Sequence, residues 1–202
     1  MPASMLRRHK PATWAPLTLC SLLTATVLAA DSNINLTGSR LVATFRQESV
    51  AIDASFKNFS GTLVYDAAKP TATHAIMAVD MSSLDIGDED SDAEVRKPAW
   101  FDSAQFPQSS FHSTQFTPGV AGHFDATGIL TLKGKARTIT VAGTIQESDR
   151  YDILDGSFEL SRRDFGIGDP SWDKVLDDKV RVRFHLLAEP GTGRLAAPRS
   201  LP

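Results

Sequence analysis

Beyond residue 33, apolar and polar positions alternate with a period of two in one stretch after another. Leu41, Ala43 and Phe45 share one parity, and Val42, Thr44 and Arg46 the other. Met77, Val79 and Met81 interleave with Ile76, Ala78 and Asp80. Phe158, Leu160 and Arg162 interleave with Ser157, Glu159, Ser161 and Arg163, and Val180, Val182, Phe184 and Leu186 with Arg181, Arg183 and His185. Successive strand side chains point to opposite faces, so this pattern predicts antiparallel strands with one buried and one wetted face. Residues 51–56, 61–65, 110–116, 122–132 and 138–146 also read as strands. Gly and Pro punctuate between them, as at Lys69-Pro70, Pro118-Gly119, Gly134 and Asp155-Gly156.

The one helical signal lies near residues 91–104. Ser91 followed three residues later by Glu94 has the capping-box spacing, Pro98 would end that turn, and a second turn is expected around 100–104. Eight or nine strands with short turns and one helical insertion predict a single all-β domain. An eight-stranded antiparallel up-and-down barrel is favoured over a sandwich, because closure removes exposed strand edges and leaves room for one small ligand.

The first 30 residues differ in character. Arg7-Arg8-His9-Lys10 is a positive start, residues 14–27 are mostly apolar, and small residues follow at 27–30. This is the pattern of a secretory signal peptide, so residues 1–30 are expected to be removed and the protein to be periplasmic or secreted. The domain then spans residues 31–190, and the Pro-, Gly- and Arg-rich residues 191–202 form a flexible tail. The segment 1–30 holds three basic residues and no acidic one. The remainder therefore carries −6 where the whole chain carries −3, which argues against a nucleic-acid footprint. Cys20, the only cysteine, lies in the same opening segment, so the rest can form neither a disulfide nor a thiolate metal site.

Candidate chemistry is thin. His74, His112, His123 and His185 are too scattered for a zinc signature, and His185 falls on the polar face of its strand. Asp88, Asp90 and Asp92 alternate as in a calcium loop, but Ala93 and Ala99 occupy the positions that need Gly and Glu. Asp164-Phe165-Gly166 lacks every other kinase element, and no nucleophile elbow exists, so no enzyme and no metal are expected. What stands out is the aromatic content. All 11 Phe lie beyond residue 30, rings without polar handles that suit either a packed core or a dry cavity for an apolar ligand.

Five groups of residues, in order, resemble the YceI family. They are Phe56-Lys57-Asn58-Phe59-Ser60-Gly61-Thr62-Leu63, then Val79-Asp80-Met81-Ser82-Ser83-Leu84. Trp100-Phe101-Asp102-Ser103-Ala104-Gln105-Phe106-Pro107 follows with Phe111-His112-Ser113-Thr114. Gly128-Ile129-Leu130-Thr131-Leu132-Lys133-Gly134 and Arg162-Arg163-Asp164-Phe165-Gly166 complete the set. The segment Val95-Arg96-Lys97-Pro98 departs from the family pattern, and the loop 166–172 looks like a branch found beside membrane b-type cytochromes.

The resemblance implies a lipocalin-like barrel that sequesters or carries an isoprenoid lipid or quinone without catalysis or a further cofactor. A lining of Phe45, Phe59, Met77, Val79, Met81, Phe101, Phe106, Phe111, Leu130, Leu132, Phe158 and Leu160 is expected, with Trp100 and Phe101 at the mouth. Arg162 shares the parity of Phe158 and Leu160. It is read either as meeting a polar ligand head or as pairing with Asp164 or another carboxylate to pin the loop 166–172. A periplasmic interaction module supporting a membrane redox or stress-response system, with a b-type cytochrome as partner, is the alternative; dimerisation is left open.

Overall fold

The protein is described from a computed structural model covering residues 33–66 and 68–190. The expected signal segment, Cys20 and the expected tail lie outside the described residues. Ten strands form: β1 (Arg40–Gln47), β2 (Val50–Phe56), β3 (Phe59–Val64), β4 (His74–Asp80), β5 (Leu84–Asp85), β6 (Gln108–Pro118), β7 (His123–Leu132), β8 (Lys135–Glu147), β9 (Asp152–Ser161) and β10 (Lys179–Ala188). One α-helix, α1 (Glu89–Val95), is inserted between β5 and β6. The strands make one curled antiparallel sheet in the order β3-β4-β6-β7-β8-β9-β10-β1-β2-β5.

The expectation of eight strands is thus corrected to ten, and the reason is local. Phe56 lies opposite Leu84, but Phe59, three residues on, lies opposite Val79, five residues back. The excess is taken up by a 3₁₀ turn at Met81–Ser83, capped by the Asp80 carboxylate, which accepts from the Ser82 amide at 2.9 Å. The turn interrupts one long strand into β4 and β5, and Lys57-Asn58 interrupts its partner into β2 and β3. Hydrogen bonds from the Lys57 amide to the Ser83 carbonyl (3.1 Å) and from the Asp80 amide to the Asn58 carbonyl (3.0 Å) hold the junction.

Two-residue hairpins fix register at one end of the sheet. Glu48 and Ser49 (φ 49° and 70°) join Gln47 to Val50, and Lys133 and Gly134 (φ 48° and 71°) join Leu132 to Lys135. Two successive left-handed residues give the turn whose twist matches that of the flanking strands. The helix also differs from expectation. It starts at Glu89, because Asp88 rather than Ser91 is its cap: the Asp88 carboxylate accepts from the Ser91 amide at 2.9 Å and from its hydroxyl at 2.7 Å. Residues 96–106 are hydrogen-bonded turns, not helix.

The inward side chains gather in two clusters at opposite ends of the strands. One contains Ile34, Leu63, Phe116, Phe124, Leu154 and Leu186; the other contains Met81, Trp100, Leu132, Phe165, Ile167 and Leu176. The outer face of β9, β10, β1 and β2 carries the cross-strand charge pairs Glu159–Arg181 (2.7 Å) and Asp53–Arg183 (3.1 Å) and a hydrogen bond between Asp155 and His185 (2.7 Å). These pairs are exposed and add little stability.

Candidate functional site

Between the two clusters the molecule is hollow. A cavity of about 360 Å³ runs from Ile34, Leu63 and Thr73 at one end to Gln47, Ser91 and Glu94 at the other. Its volume is within the range of sites that enclose a small organic ligand. The wall is overwhelmingly aliphatic and aromatic, and Glu94 and Arg162 are its only charged residues among those described.

Glycines explain why so many rings leave space in the middle. The Phe184 ring lies against Gly156, its cross-strand partner, and the Phe124 ring against Gly143. The Phe111 ring lies over Gly128, where a Cβ would sit 2.6 Å from it. A ring covering a residue without a side chain spreads along the wall instead of projecting from it. Phe111 and Phe184 are only half-buried despite facing inward, as residues bordering empty space must be.

The two ends are unlike. At the end away from α1, Ile34, Leu63, Phe116, Phe124, Leu154 and Leu186 are all buried, and the stacked rings of Phe116 and Phe124 stand 4.9 Å apart. At the α1 end, Gln47, Ile52, Ile86, Ser91, Glu94 and Val95 are half-exposed, and α1 itself has no buried residue. The opening therefore lies between the β1–β2 hairpin and α1. Glu94 fastens the rim: one carboxylate oxygen accepts from Lys97 Nζ at 2.5 Å and the other from Trp100 Nε1 at 3.2 Å. The Lys97 bond, more than that of Trp100, holds its carboxyl below the ordinary glutamate value.

Twelve of the fourteen expected binding residues border this cavity: Phe45, Met77, Val79, Met81, Trp100, Phe101, Phe111, Leu130, Leu132, Phe158, Leu160 and Arg162. Two do not. Phe59 is buried in the wall at the β2–β3 junction, and Phe106 is tucked under the β7–β8 turn, its ring 2.7 Å from where a Cβ on Gly134 would lie. Trp100, expected at the mouth, is buried beneath Trp172, with ring centroids 5.3 Å apart and edge to face. Its partner in that expectation, Phe101, is half-buried.

Arg162 follows β9 and caps the 3₁₀ turn Arg163–Phe165. Its side chain is 3% exposed, and the guanidinium donates to the carbonyls of Asp177 (3.1 Å), Ile167 (3.0 Å) and Leu176 (3.2 Å) and to Asp173 Oδ1 (2.5 Å). The carboxylate partner is Asp173 rather than Asp164, and the pair ties the loop 166–177 down. Hydrogen bonding from Arg162, ahead of every other influence, holds the Asp173 carboxyl below its ordinary value. Lys133 adds a second tie, donating to the carbonyls of Pro98 (2.8 Å) and Gly166 (2.7 Å); burial lowers its ammonium pKa.

Other wall residues were not among the candidates. Phe116 breaks the expected alternation because a bulge between Ser113 and Gln115 shifts the register. Phe56 and Phe184 have the correct parity within their strands, which is the signal that could have found them. Ile167 and Trp172 come from the loop, where no periodicity exists.

Comparison with known proteins agrees with this geometry. The crystal structure of BcnA from Burkholderia cenocepacia superimposes with a TM-score of 0.75 at 34% identity, covering 77% of this chain and 99% of that one. A polyisoprenoid-binding domain from Saccharophagus degradans, implicated in plant cell wall breakdown, shares the fold with a TM-score of 0.64 at 17% identity over 78% of this chain and 97% of its own. Protein YceI of Salmonella newport is 29% identical over 161 residues, 74% of this chain and 84% of that protein. The family model of the YceI-like domain matches residues 26–188, and the chain belongs to that family.

Proposed function

We propose that the protein holds an isoprenoid lipid or quinone in its cavity, reversibly and without catalysis, after export to the periplasm or the medium. The observation that carries this reading is the enclosed apolar cavity beneath a half-exposed rim. Each methylene or methyl buried there contributes about 0.8 kcal/mol before ordering costs, so several isoprene units are retained with no covalent bond. The binding of polyisoprenoid by the Saccharophagus domain of the same fold supports the choice of ligand. The leader-like residues 7–30 support export.

Organic extraction of protein purified under non-denaturing conditions, followed by mass spectrometry, tests the reading. A stoichiometric isoprenoid or quinone is expected. An empty protein that also fails to take up such lipids would overturn it and favour an interaction module for a membrane redox partner. The N-terminal sequence of the exported form checks cleavage near Ala30.

A further inference from the structure

The cavity offers nothing to neutralise an anion. Arg162 is the only cation on its wall among the described residues, and its four hydrogen bonds are all directed into the loop 166–177. The other charged wall residue, Glu94, is an anion at the opening. Lys97, the nearest cation, is held against the Glu94 carboxylate at 2.5 Å, so that pair presents no net positive charge. The rest of α1 adds Glu89, Asp90 and Asp92 and contains no basic residue; Arg96 follows at its exposed end.

Neutral polar groups are present instead. Gln47 and Ser91 border the opening. At the closed end Thr73 is 5% exposed, borders the cavity, and its hydroxyl has no hydrogen-bond partner. That oxygen is covered, and a staggered rotation about the Cα–Cβ bond exchanges it with the side-chain methyl. Ser113, which also borders the cavity, accepts at 2.8 Å from the amide of Ala75, two residues beyond Thr73, and this leaves its own O–H as a donor.

From these observations we infer that the site selects an isoprenoid with an uncharged, oxygen-bearing head, such as an alcohol or a quinone, against the phosphorylated form of the same chain. The inference rests on the isoprenoid reading above and narrows its ligand class. It holds for either orientation of the ligand. A phosphate at the rim meets no net positive charge, because the Glu94–Lys97 pair is neutral and the rest of α1 is acidic, and like charges repel even in water. A phosphate drawn inside loses its hydration with no cation to replace it, which costs far more. An alcohol or carbonyl meets neutral partners at both ends.

A matched pair of probes separates head from tail: a C20 isoprenoid alcohol and its monophosphate, titrated while following the fluorescence of Trp100 and Trp172. The alcohol is expected to bind about tenfold or more tightly than the phosphate. Glu94→Lys, at a half-exposed rim position, is expected to narrow that ratio by strengthening phosphate binding relative to alcohol binding; circular dichroism confirms that the variant folds. Equal or tighter binding of the phosphate by the unmodified protein overturns the head-group inference and leaves the isoprenoid reading standing. An unchanged ratio in folded Glu94→Lys overturns the role of the rim. Binding of neither probe overturns the isoprenoid reading itself.

Discussion

Arg162 and Asp173 meet at 2.5 Å with very different surroundings, the arginine side chain 3% exposed and the aspartate side chain 36% exposed. The buried partner stands just past the end of β9 and the wetted one in the loop that lies over that end of the sheet. The same guanidinium also satisfies three loop carbonyls, so the pair acts as a clasp between loop and wall.

Removing the clasp from its buried side is therefore a stability experiment. Arg162→Met leaves the carbonyls of Ile167, Leu176 and Asp177 without their donors, and is expected to destabilise the protein by about 2–4 kcal/mol. Urea unfolding with two-state analysis measures this. If the variant still folds in mild conditions, it is expected to retain lipid, because the guanidinium faces the loop. Loss of lipid with undiminished stability would instead assign Arg162 to a ligand head.

Acid loosens the same clasp. The Asp173 carboxyl is held below its ordinary value of 3.8 by Arg162. A carboxylate whose folded pKa is depressed contributes stability that is fully present above its unfolded pKa and lost as pH falls through the folded one. This contribution is expected to be constant from neutrality down to about pH 5, and to be lost from there as the pH falls through the depressed folded value, which lies below 3.8. Thermal melts across that range check it, and Asp173→Asn is expected to be less stable at neutrality and less sensitive to acid than the unmodified protein.

The hollow can be filled from the wall. Ala43 faces it from β1 and is half-buried. Ala43→Phe is expected to abolish lipid retention while leaving the melting temperature equal or higher, because added apolar volume enters empty space rather than a packed core. Extraction with mass spectrometry and a thermal melt on the same sample decide it. Undiminished lipid content would show that ligand sits elsewhere.

Helix α1 should be the least protected of the regular elements. None of its residues is buried, whereas β7 is flanked on both sides by ten- and eight-residue ladders to β8 and β6. Amides in α1 are expected to exchange with deuterium orders of magnitude faster than those of β7, and to slow when lipid is bound. Equal protection in the two elements would place the opening elsewhere.

Much of the wall was legible because strand parity is a strict rule. Phe45, Met77, Val79, Leu130, Phe158 and Leu160 were assigned inward from alternation or family likeness and do border the cavity. Parity fails where the ladder is interrupted. The bulge at Ser113/Gln115 returns Phe116 to the inside five residues after Phe111, and the interruption near Asn58 leaves Phe59 in the wall without reaching the hollow. The partner of Arg162 was beyond local reading for another reason. Gly166, in the left-handed region at φ 68°, reverses the chain and brings Asp173 back across eleven residues, while nearby Asp164 stays exposed. Likewise Ser91 and Glu94 had the spacing of a capping box, but the stronger acceptor three residues before Ser91 took the cap.

The rings resting on Gly128, Gly143 and Gly156 make the bore of this protein a property of what those positions lack. At Gly156 an added methyl meets the Phe184 ring first, at 2.4 Å, and would push it toward the axis, whereas at Gly128 and Gly143 it meets a carbonyl oxygen of the neighbouring strand first, at 2.4 and 2.5 Å, so there the pairing of the strands itself forbids a side chain.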